Sequence, residues 1–129
     1  MGTAHRRLAI AALGVACAAC AGEDDRPARW SYISTTIIQP NCATAGCHSA
    51  LSATGGVQLH SREAGYVALV GSPDDPEQRN LVVPGQPDQS KLMYLLRGEE
   101  IWRMPPDGQL PQADIDLIER WILDGARDD

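Results

Sequence analysis

Asn41-Cys42-Ala43-Thr44-Ala45-Gly46-Cys47-His48 is the stretch on which the fold turns. It sets two thiols and an imidazole in the pattern Cys-x4-Cys-His. Three chemistries fit it. Each thiol could add to one vinyl group of a haem, with His48 beneath the ring as an iron ligand. The thiols could instead close a local Cys42–Cys47 disulfide, although so short a loop stabilises little. A third set is zinc on Cys42, Cys47, His48 and His60, but an adjacent Cys and His rarely both reach one tetrahedral ion. The common covalent-haem spacing is Cys-x-x-Cys-His. Here the small residues Ala43, Thr44, Ala45 and Gly46 allow the longer loop to bulge without clashing.

The C-terminal half offers a counterpart. A low-spin haem that transfers electrons needs a sixth ligand, and a methionine sulfur favours the reduced iron. Met104 stands before Pro105 and Pro106, whose fixed backbone would hold a thioether with little ordering cost. Met93 competes, but it lies between Leu92 and Leu95 in a helical pattern, where core packing is the expected job. His60 would give bis-His ligation, or is simply a surface or core histidine.

Helical patterns surround these residues. Trp30, Ile33 and Ile37 share a face, predicting a first helix over 30–39 that ends at Pro40. A second is expected over 61–70, capped by Ser61 and stopped by Gly71-Ser72-Pro73. Pro84-Gly85 makes a turn. Asp88 or Ser90 then caps a third helix that runs to Arg97 and stops at Gly98. Met104-Pro105-Pro106-Asp107-Gly108 reads as a stiff, extended loop. Pro111 opens a final helix whose buried face is Ile115, Ile118, Trp121 and Ile122, with Gly125 as its stop. No strand alternation, internal repeat or phosphate-binding glycine pattern is present. The fold class is all-α, with four to five short helices joined by long loops.

Composition adds a puzzle. Of the 129 residues, Leu, Ile and Val beyond position 20 number only 22, and Phe is absent. That is about a fifth of the remaining chain, close to the level below which chains tend to be disordered. Long loops in a small domain also imply that something besides side chains organises it. A large enzyme and a multi-span membrane protein are excluded by size and composition.

Positions 1–20 read as an export signal, with Arg6-Arg7 in a basic start and Leu8 to Ala16 as a short apolar stretch. Its apolar run is too short to span a bilayer as a helix. Cys20 after Ala18-Ala19 is similar to a lipoprotein attachment site, while plain cleavage after a small residue is the alternative. Either outcome puts the mature chain in the periplasm or cell envelope, where disulfides are permitted. Residues 21–29 are expected to form a flexible tether, and 30–127 the domain. The full chain carries net charge −6. Without Arg6 and Arg7 the mature part is more acidic still, which argues against nucleic-acid binding. Acidic residues such as Asp74, Asp75, Glu77, Glu99 and Glu100 keep such a chain soluble, and could guide a basic partner.

Taken in order, Ile-x-x-x-Cys, Cys-His-Ser, Gly-Gly-Val-x-Leu, Val-Pro-Gly-x-Pro-x-x-Ser-x-Leu, Met-Pro-Pro and Ile-x-x-Trp-Ile-x-x-Gly-Ala resemble the bacterial cytochrome-c-like domains of planctomycete type. The resemblance runs from about Trp30 to Ala126. It implies a small class I cytochrome c-like fold around one haem c. Cys42 and Cys47 would carry the thioethers, His48 the proximal ligand and Met104 the distal one. It also implies that the first and last helices cross, bringing Ile33 and Ile37 toward Ile118 and Trp121. The expected function is a one-electron carrier that meets redox proteins transiently and is not itself an enzyme. The rival expectation is a haem-free, disulfide-stapled lipoprotein module that binds a partner. A weaker third is a haem sensor in which a small gas displaces Met104.

Overall fold

The computed structural model describes residues 1, 24–71, 81–99 and 102–129. The expected export signal and Cys20 lie outside these residues. So do Asp74, Asp75, Glu77 and Glu100. Four helices and no strand are present among the described residues. Helix α1 runs as Trp30–Ile33, a π-helical stretch Ser34–Ile38 and a last turn Gln39–Cys42. Helix α2 is Arg62–Val70, α3 is Lys91–Arg97 and α4 is Gln112–Leu123.

Helix α1 corrects one sequence expectation, because Pro40 does not end it. A proline inside a helix leaves the carbonyl one turn back without its N–H. The turns widen just before it, and side chains bond back to carbonyls along the same helix. Thr35 Oγ1 donates to Ser31 O (2.9 Å), Thr36 Oγ1 to Tyr32 O (2.7 Å) and Asn41 Nδ2 to Ile37 O (2.8 Å). The π stretch also re-aims the last turn of the helix. At the regular rotation of about 100° per residue, Cys42 would stand about 120° from Trp30 around the helix. The extra residue per turn cancels most of that offset.

The remaining elements follow local rules. Ser61 Oγ accepts from Ala64 N (3.1 Å), the N-cap that its position predicts. Ser90 also stands at an N-cap position, but its hydroxyl does another job. It accepts from Val83 N (2.9 Å) and donates to Gln86 O (2.9 Å), tying down the Pro84-Gly85 turn. Gly85 sits there at φ +76°, the position of a type II turn that favours glycine. The segment expected to be stiff and extended instead bends at Met104 and turns at Pro106-Asp107, with a cis Met104–Pro105 bond.

The packed core is aromatic at its centre. Trp30 stacks on Trp121 with centroids 5.0 Å apart and planes 25° apart, and Tyr66 meets Trp30 edge-on at 6.0 Å. This joins α1, α2 and α4, with Ile33, Ile37, Ile115, Ile118 and Ile122 buried in the same cluster. The polar edges of all three rings are satisfied. Trp30 Nε1 donates to Arg62 O, Trp121 Nε1 to Arg127 O and Tyr66 Oη to Ala126 O, each at 2.9 Å. Aromatic burial with satisfied edges is the largest packing contribution a small domain has.

Both flanks of the domain are tied down. Asp129 caps α1, its Oδ1 accepting from Trp30 N (3.0 Å) and its main-chain oxygen from Ser31 N (2.9 Å). Of the expected 21–29 tether, residues 24–29 are described, and they lie against α4. Arg26 bridges Asp24 and Asp114, and Arg120 reaches Asp24 O (3.0 Å).

Candidate functional site

A cavity of about 990 Å³ opens beside the aromatic core. That is at the upper end of the range for small-molecule and cofactor sites. Its wall is mostly aliphatic, including Val57, Leu59, Leu69, Leu92, Leu95 and Leu96. Cys42, Cys47, His48 and Met104 all line it. Two segments of the chain, 56 positions apart between His48 and Met104, are thus brought to one space.

The first three come from a single folded loop. Ile38, Asn41 and Cys42 present one side of the last turns of α1 to the cavity, at the i, i+3, i+4 spacing of one helical face. Beyond Cys42 the chain closes on itself. His48 N donates to Cys42 O (3.0 Å), Cys47 N to Thr44 O (2.9 Å) and Thr54 N to Cys47 O (3.1 Å). The four residues between the cysteines therefore form a compact bulge, as their small side chains allow. Both thiols are free and half-buried. Burial, with the neighbouring Cys47 thiol, pushes Cys42 up to about 11. It is a neutral thiol at physiological pH.

His48 is oriented by a partner that no side-chain pattern reveals. Its Nδ1 lies 3.2 Å from the carbonyl oxygen of Val57. A carbonyl can only accept, so Nδ1 is the donor in this contact, and in the neutral ring Nε2 is the nitrogen with the free lone pair. This is the arrangement by which metal-binding histidines are fixed in tautomer and ring direction. Gly55 and Gly56, both at positive φ (67° and 78°), turn the chain into Val57. Leu59 N then donates to His48 O (2.8 Å), closing a second contact between the two strands of chain. The Gly-Gly-Val-x-Leu string was the only trace of this device in the sequence.

Met104 is delivered from the other side. Its backbone N donates to Leu95 O (3.0 Å), fixing the proline loop to α3, and its side chain is half-buried. Met93 is fully buried in the core, while His60 is exposed and does not line the cavity. Among the described residues no cluster of three or more His, Cys, Asp or Glu side chains could hold a bare metal ion. Cys42, Cys47 and His48 line the cavity without His60. An apolar cavity with two thiols, one tautomerically fixed imidazole and one thioether is a donor set that fits a flat, apolar, iron-containing macrocycle.

Residues 45–108 match the family described as Planctomycete cytochrome C. The matched span takes in Cys47, His48 and Met104 and begins just after Cys42. No curated protein and no solved structure matches the chain. A cytochrome c family domain implies haem c and an electron carrier rather than an enzyme. Over residues 45–108 the chain carries a domain of the Planctomycete cytochrome C family.

Proposed function

We propose that the chain is an exported, monohaem c-type cytochrome domain that carries one electron at a time. Cys42 and Cys47 would hold the haem through thioethers, and His48 Nε2 and Met104 Sδ would be its axial ligands. One observation carries this reading: Cys42, Cys47, His48 and Met104 line one apolar cavity, with His48 Nδ1 occupied by Val57 O. When bound, the haem supplies the one-electron redox couple. The chain's own residues exclude water from its faces through the leucine wall, hold the imidazole in one tautomer and keep the Met104 backbone anchored to α3.

Expression with a cytochrome c maturation system tests this. The holoprotein is expected to keep its colour through organic extraction and to show a low-spin spectrum. Met104→Ala should lose the low-spin signature and bind carbon monoxide when reduced. Wild-type protein that binds carbon monoxide readily would move Met104 out of the ligand role and favour a gas-binding haem. Colour that extraction removes would overturn covalent attachment.

Export rests on the pattern of residues 1–20, and a lipid at Cys20 would hold the domain at a membrane surface. Loss of lipid labelling in Cys20→Ala tests that anchor. No described helix is long and apolar enough to cross a membrane. Redox partners would dock briefly over small areas. Glu99 is exposed, near Arg97 (3.8 Å), and available to help steer a basic partner.

A further inference from the structure

The cavity has an uneven charge inventory. The chain carries 17 Asp and Glu residues. None of the described residues that line the cavity is acidic. Lys91, the chain's single lysine, lines it. Lys91 is exposed, and its neighbour Leu92 is buried. A lysine so placed lays its aliphatic stem along an apolar wall and keeps its ammonium at the water edge. Two other polar side chains at the cavity are already engaged within the protein. Asn41 Nδ2 donates to Ile37 O (2.8 Å) and Gln58 Nε2 to Ala50 O (3.3 Å). An apolar pocket with a lysine in its lining, and no carboxylate among the described residues that line it, suits a ligand with an apolar body and an anionic end.

Resting on the haem reading, we infer that Lys91 is the counter-charge of a haem propionate and raises the haem's reduction potential. Reduction of ferric to ferrous iron adds one electron to the site and makes it more negative by one charge. A nearby propionate opposes that gain, and an ammonium paired with the propionate relieves it. Lys91 acts through the propionate, so it is a positioning and tuning residue rather than an iron ligand.

Spectroelectrochemical titration of the holoprotein tests this with wild type, Lys91→Gln and Lys91→Arg at low and high salt. Lys91→Gln should shift the reduction equilibrium about threefold toward the oxidised form, a potential about 28 mV lower for a one-electron couple. Lys91→Arg should restore the wild-type value, and the difference should shrink at high salt. A Lys91→Gln chain that fails to take up haem while Lys91→Arg takes it up also favours the pairing. Equal potentials for wild type and Lys91→Gln at low salt would overturn it, as would loss of haem in both variants. Wild-type protein without covalent haem would instead remove the reading beneath it, and the wild-type spectrum alone separates that failure from the others.

Discussion

Around Trp121 the protein packs against itself, whereas around His48 it lines a space. The first region fills its volume with two stacked indoles, an edge-on tyrosine and a set of isoleucines contributed by α1 and α4. The second turns valines and leucines toward a cavity of about 990 Å³. The aliphatic shortage in the sequence is therefore not spread evenly. Aromatic rings offset it at one end, and at the other the side chains form a wall for something they do not themselves supply. Stability and redox chemistry should accordingly separate when each region is perturbed.

The largest effect is expected at the packed end. Trp121→Ala removes one half of the indole stack and should cost about 3–5 kcal/mol in chemical denaturation. The spectrum of the protein that remains folded should be unchanged. A spectral change of the folded fraction would break the division between the two regions. Gly65→Ala sharpens it. A Cβ there would lie 3.0 Å from Trp30 Cζ2, and Trp30 cannot retreat because it is fully buried against Trp121. Overpacking costs about 1–3 kcal/mol, slightly reduced by alanine's better helix propensity. The thermal midpoint should fall while the axial ligands stay in place. Ser61→Ala deletes the α2 cap and should cost about 1 kcal/mol by the same denaturation assay.

The smallest effect lies at the surface of α4. Hydrogen bonds from the Arg26 side chain and backbone hold the Asp24 carboxyl down to about 2. A depressed carboxyl stabilises the folded state above its ordinary value near 3.8 and loses that contribution as pH falls toward about 2. Amide protection factors in residues 24–29, taken relative to the intrinsic exchange rate at each pH, should fall over that window, ahead of those of the aromatic core. Asp24→Asn should abolish this pH dependence of protection, and wild-type protection factors that stay constant down to pH 2 would contradict the assignment.

Much of this division was legible in the residues. Ile115, Ile118, Trp121 and Ile122 repeat at helical spacing, and all four are buried. Ser61 announced a cap, and the paired thiols with His48 announced the chemistry of the cavity wall. Other parts were hidden for physical reasons. Pro40 normally ends a helix, and the wider turns of Ser34–Ile38 that precede it here leave no mark in the residue pattern. Val57 orients His48 through its main-chain oxygen, which any residue would possess. Lys91 reads as an ordinary surface charge until the fold brings it to the lining of the cavity. Asp24 and Arg26 look like tether residues until Asp114 and Arg120, 88 and 96 positions away along the chain, come beside them.

The central claim is that the space around Cys42, Cys47 and His48 holds one covalently bound haem. Intact mass of the denatured, matured protein tests it most directly. The account predicts the mass of the mature chain plus one haem, with the increment absent in the double variant Cys42→Ala/Cys47→Ala. A wild-type mass lower by two hydrogens, with no haem increment, would contradict it and mark the two cysteines as a disulfide.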